Sequence, residues 1–194
     1  PNFDFAATID VRGEKVHLYS MAYTSGLTRT DPPLSDFPHT GEDGWHIALL
    51  HGSLGWGTAD RSLPINTQAL TAAGYDYVAL GHIHQHQIHG ERVRPVVYCG
   101  MVDGKGFDDP GVGVYTVVTL EKGTPAKVEK VEVESRPVTN CTFDAGAYPD
   151  QAALEEAMND CLEEGAIARV TLTGVPAFAM SVEALRDTLK KRVL

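Results

Sequence analysis

Gly74-Tyr75-Asp76-Tyr77-Val78-Ala79-Leu80-Gly81-His82-Ile83-His84 sets an apolar run directly before two histidines spaced two apart. A short run of this kind, bounded by glycine on both sides, predicts a strand buried on both faces over 75–80, with its histidines just past the carboxyl end. Open α/β sheets place their ligands in the crevice beyond that end, and neutral imidazole suits borderline divalent metals. Glycine at 81 lets the backbone turn close to a bound ion. His82 and His84 are therefore candidate metal ligands.

An earlier run, Trp45 to Leu50, repeats the pattern and also ends on a histidine, His51. Between the two runs Pro64 is placed to open a helix that continues to about Ala73, with Gly74 as its stop. Strand, helix, strand in this order predicts a βαβ unit with parallel strands whose carboxyl ends share one edge. His51 and His82 then become neighbours in space, and His51 joins the candidate ligands.

Farther out, Lys15 to Tyr23 reads as a strand and Leu27 to Gly44 as a loop. Short β-like runs at Gln85 to His89, Val96 to Gly100, Gly113 to Glu121 and Lys127 to Ser135 predict an antiparallel meander forming a second sheet. From Arg136 the texture changes. An alternating run reaches Phe143, a helix is expected from about Pro149 to Glu164, a strand from Ala168 to Thr173 and a last helix from Ser181. Residues 136–194 thus read as a separate, incomplete α+β unit following a first domain over 1–135.

The chain has 194 residues, 43% of them hydrophobic, which is enough to bury a core. A formal net charge of -10 argues against coating nucleic acid by bulk attraction, although bound cations or a local basic patch such as Arg92, Arg94 and Lys105 can still hold phosphate. No apolar stretch approaches the roughly 20 residues of a membrane-spanning helix and no signal segment opens the chain, so a cytoplasmic protein with no membrane partner is expected. Cys99, Cys141 and Cys161 show no C-x-x-C spacing, so all three are read as structural, outside any disulfide framework or zinc ribbon. His86 and His89 are expected to alternate outward on the strand after the motif, and His17, His39 and His46 to be ordinary surface or core residues. Gly104-Lys105-Gly106 lacks P-loop spacing, and turn chemistry accounts for Asp103, Asp108 and Asp109.

Leu49-Leu50-His51-Gly52, the stretch from Gly74 to His84, and Tyr98-Cys99-Gly100 together resemble the later motifs of the calcineurin-like metallophosphoesterases, most closely the SbcD-type DNA repair exonucleases. The resemblance is strong over about residues 45 to 120. It implies an α/β fold: a partial metallophosphoesterase β-sandwich with flanking helices, followed by a small α+β capping domain. The segment Arg169-Val170-Thr171-Leu172-Thr173-Gly174 resembles part of that cap. It further implies two divalent metal ions, manganese first with iron or zinc as alternatives, and His51, His82 and His84 as metal ligands. DNA as substrate, an SbcC-type ATPase partner and homodimerisation follow from the same resemblance.

Complete members of the family also carry D-x-H, G-D and G-N-H motifs, and none of these occurs here. The family's catalytic histidine belongs to that absent segment. The chain is therefore expected to be the carboxyl-terminal part of a nuclease subunit, inactive or nearly so alone, because two adjacent cations need a bridging anion that three neutral imidazoles do not supply. The alternatives are a small-molecule phosphoesterase and a non-catalytic binding module with a degenerate metal site.

Overall fold

The two predicted apolar strands form and lie side by side in parallel. In the computed structural model, which describes residues 2–21, 32–55, 62–191 and 193, the elements are β1 (Asp4–Val11), β2 (Glu14–Ser20), β3 (Trp45–His51), β4 (Ser53–Leu54), β5 (Pro64–Ile65), α1 (Thr67–Ala73) and β6 (Tyr77–Gly81), then β7 (Gln87–Glu91), β8 (Arg94–Tyr98), β9 (Val114–Thr119), β10 (Lys127–Glu132), β11 (Val138–Asp144), α2 (Gln151–Cys161), β12 (Ile167–Thr173) and α3 (Val182–Lys190). The content is mixed α/β and dominated by sheet. The chain divides into two compact units, Pro1–Met101 with Tyr115–Val131, and Val102–Val114 with Glu132–Leu194.

The first unit is built on a six-stranded sheet in the order β1-β2-β3-β6-β8-β7. β2, β3, β6 and β8 run parallel, and β1 and β7 close the edges antiparallel. β1 was not expected, because its residues are largely exposed and carry no buried stripe. What sets it is the two-residue turn Arg12-Gly13, where both residues take positive φ, the conformation that matches the twist of a tight hairpin. The predicted meander is also corrected. β7 and β8 extend the first sheet rather than starting a second, and only β9 and β10 pair apart.

One face of this sheet holds the core. Ala48 and Leu50 of β3, Val78 and Leu80 of β6, and Val96 and Tyr98 of β8 are buried with Leu63, Ile65 and Leu70. Each of the valine, leucine and isoleucine side chains contributes on the order of 1.5–3 kcal/mol on burial. The other face is less covered than the apolar runs predicted, since Leu49 remains 42% exposed. The helix begins later than expected. Pro64 lies in β5, and Asn66 caps α1, its side chain accepting from Ala69 N at 3.1 Å. Gly74 ends the helix at φ 78, as a left-handed cap.

In the second unit β11 and β12 pair in parallel with α2 between them, each element close to its predicted span. Asp150 and Ser181 cap α2 and α3 through their side-chain oxygens. Ala145, Leu154, Met158 and Leu185 form a second, smaller core. Cys141 and Cys161 are joined as a disulfide, with Cα atoms 6.6 Å apart, which corrects the expectation that the cysteines lie outside any disulfide while leaving these two structural. Nothing in their spacing signals the pairing. It arises because β11 and the end of α2 meet.

Candidate metal centre

Parallel pairing of β3 with β6 matches Ile47 with Tyr77 and, four steps on, His51 with Gly81. Both strands therefore end level. Gly52 N donates to Gly81 O at 3.3 Å, holding the two exits together. The rings of His51 and His82 meet edge to face with centroids 5.4 Å apart. A Cβ at position 81 would stand 3.0 Å from His51 Nδ1, so glycine is what lets the His51 ring lie across the end of β6.

His82 has φ 99, a left-handed conformation that a side chain bearing a Cβ rarely adopts. Such outliers cost on the order of 1–3 kcal/mol and concentrate at functional sites. Just behind them, the Tyr98 hydroxyl donates to Gly52 O at 3.0 Å and accepts from Leu54 N at 2.9 Å. This buried phenol fastens the turn that follows His51. His51 is exposed, while His82 and His84 are half-buried.

The three candidate ligands are not equally placed. His51 and His82 come together, whereas among the described residues no three His, Cys, Asp or Glu side chains stand close enough to hold one ion. As donors, neutral imidazoles suit one borderline divalent ion with water completing the shell. They do not suit a pair of ions by themselves, since nothing in the set bridges two positive charges.

The lesser candidates fall elsewhere. His86 precedes β7 and its Nδ1 lies 3.0 Å from Thr116 Oγ1, and His89 is exposed on β7 with Nε2 3.1 Å from Gln87 Oε1. Arg94 opens β8, at the amino end of the parallel strands, and Arg92 lies in the turn before it. Lys105 belongs to the second unit, where its N–H is 3.3 Å from Asp109 Oδ2, the local turn bonding expected of that aspartate. Cys99, the remaining free cysteine, follows β8 with its Sγ 3.9 Å from the Tyr77 hydroxyl. Burial, then the neighbouring Cys99, holds that phenol protonated well above the usual tyrosine range. Sequence reasoning missed this contact, which depends on two strands two places apart in the chain becoming neighbours.

Two comparisons bear on this geometry. The chain is 46% identical over 67 residues to the SbcD component of the nuclease SbcCD from Escherichia coli K12, a stretch covering 33% of this chain and 15% of that protein. Over that stretch the chain is similar to an SbcD-type nuclease component. The same component from Escherichia coli O157:H7 matches equally, and the uncharacterized metallophosphoesterase YhaO of Bacillus subtilis 168 is 32% identical over 80 residues, 41% of this chain and 20% of the other. The match therefore spans a fifth or less of the length of these relatives. No family model matches the chain. Among the described residues no helix is long and apolar enough to cross a membrane.

Proposed function

We propose that the chain supplies the histidine half of the metal centre in a metal-dependent phosphodiesterase, a DNA exonuclease subunit acting in DNA repair in the cytoplasm. The observation that carries this reading is the level ending of β3 and β6, which sets His51 and His82 ring to ring. Relatives named as a nuclease component and a metallophosphoesterase support the reaction class.

In this reading the neutral imidazoles of His51 and His82 are first ligands to a divalent ion, and His84 becomes a third only by moving toward them. Gly81 keeps the space into which the His51 ring projects, and Tyr98 holds the backbone after His51 so that the ring keeps its direction. A bound divalent ion supplies Lewis acidity toward a phosphoryl oxygen and makes water more acidic. Manganese is the first choice, with iron or zinc as alternatives. A second ion needs a bridging carboxylate, so these residues alone hold one ion and cleave little.

The six-stranded sheet is then one layer of a metallophosphoesterase β-sandwich, and residues 136–194 form the small capping domain. DNA is the substrate, an SbcC-type ATPase the partner, and a homodimer the assembly. Manganese titration of the chain, followed by calorimetry and by the manganese resonance signal, tests the centre. About one ion per chain, lost in both His51→Ala and His82→Ala, is expected. Undiminished binding in either variant removes that histidine from the ligand set, and manganese-dependent cleavage of a model phosphodiester by the chain alone overturns the incomplete-centre reading.

A further inference from the structure

At the end of the sheet opposite His51, three histidines stack. The His39 ring lies 3.8 Å from that of His46, and His46 lies 4.8 Å from His17, with planes tilted by 24° and 26°. His17 and His46 are buried on the paired strands β2 and β3, while His39 is exposed and belongs to the segment preceding β3. None of the three takes part in the proposed metal centre.

The stack holds residues 38–44 against the sheet. His17 Nε2 lies 3.1 Å from Asp43 O and His46 Nε2 lies 2.9 Å from Glu42 O. A carbonyl only accepts, so both nitrogens carry their hydrogen and the Nδ1 atoms are left to accept. His17 Nδ1 meets the Thr8 hydroxyl at 2.9 Å, and His46 Nδ1 meets the Tyr19 hydroxyl at 2.8 Å. The Tyr19 oxygen in turn accepts from Thr40 N at 3.1 Å, and Tyr75 donates to Pro38 O. With all three imidazoles neutral, every one of these bonds is satisfied.

We propose that residues 38–44 are a latch over the amino end of the sheet, held shut by the neutral stack of His39 on His46 and His17 and released as His39 takes up a proton. His39 Nδ1 accepts from Gly41 N at 3.0 Å, and a proton on that nitrogen turns it into a donor that the Gly41 N–H cannot meet. That proton also places a cation face to face with the His46 ring. His39 is the ring free to leave, since it sits on the segment itself.

Charges around the stack act in both directions. On the segment, Glu42 and Asp43 attract a proton, but Asp43 is 3.4 Å from Lys122 Nζ. Before β6, Asp76 attracts one as well, although its carboxylate already accepts from His46 N at 2.8 Å. Arg94 on β8 and the other two histidines repel it. Partial burial comes first and His46 second in holding His39 below the ordinary imidazole value of 6.5. The closed segment therefore binds protons less readily than the open one. Closure is complete above about 6.5 and weakens as pH falls below it, by at most about tenfold per pH unit for each proton taken up.

Amide hydrogen exchange, corrected for the intrinsic pH dependence of exchange, tests the latch. Between pH 7.5 and 5.5 the Thr40 and Gly41 amides are expected to lose about three- to tenfold protection, while Val78 and Leu80 in β6 keep theirs. In His39→Gln, which preserves an acceptor for Gly41 N, the Thr40 loss is expected to shrink severalfold. Constant protection at Thr40, an equal loss at Val78 and Leu80 that marks global acid unfolding, or an unchanged profile in His39→Gln each overturns the proposal.

Discussion

His51 and His82 meet edge to face at 5.4 Å although a short strand pair and a helix separate them in the chain. The contact is a product of register. β3 and β6 pair so that His51 stands opposite Gly81, one residue short of His82, and the sharp left-handed turn at His82 then brings its ring back beside its neighbour.

Gly81→Ala tests the closeness of that approach. The added methyl would stand 3.0 Å from His51 Nδ1, and the exposed ring has room to move aside. Stability is expected to change by less than about 1 kcal/mol, with manganese affinity falling about tenfold, or about 1.4 kcal/mol. Calorimetric titration of the variant reads this directly, and full affinity would mean that the His51 ring position does not matter to the ion.

The positive φ of His82 makes a separate prediction about stability. His82→Gly and His82→Ala both remove the imidazole, so their difference isolates the backbone. Glycine is expected to be the more stable by about 1–2 kcal/mol, read as a higher urea midpoint at equal slope. Equal midpoints would mean that the turn relaxes once the ring is gone.

Much of this arrangement was legible in the chain. The apolar runs ending in His51 and in Gly81-His82 marked parallel strands, because a run flanked by glycines and histidines has few other readings. What the sequence concealed were relationships decided by pairing. β1 carries no buried stripe and is set by its turn, and β7 joins the sheet only because β8 lies beside β6. Cys141 and Cys161 give no spacing signal, and His17, His39 and His46 look unremarkable until β2 pairs with β3. Nor does the G-H-x-H pattern encode that, among the described residues, no three such side chains stand close enough to hold one ion.

Tyr98 carries two hydrogen bonds on one oxygen. Tyr98→Phe leaves Gly52 O and Leu54 N without that partner while keeping the ring in the core. A loss of about 2 kcal/mol is expected, together with faster exchange of the Leu54 amide. A midpoint unchanged by the substitution would show that water replaces the phenol at no cost.

The Cys141–Cys161 bridge closes a sequence separation of 20 residues around α2. By loop-closure entropy it stabilises the second unit by about 3 kcal/mol. Adding dithiothreitol, or substituting Cys141→Ser, is expected to lower amide protection at Val170 and Leu172 of β12. Protection that is indifferent to reductant would place the stability of this unit in its apolar core alone.

The alternation along β3 ties core and site to one register on opposite faces of the strand. Ala48 and Leu50 point into the core, and His51 follows directly on the other side. Slipping the strand by one residue would turn Leu50 outward and carry His51 away from Gly81 in the same step. The apolar interior thus acts as a proofreader: a chain that buries its leucines correctly has, by that act, already aligned its imidazoles.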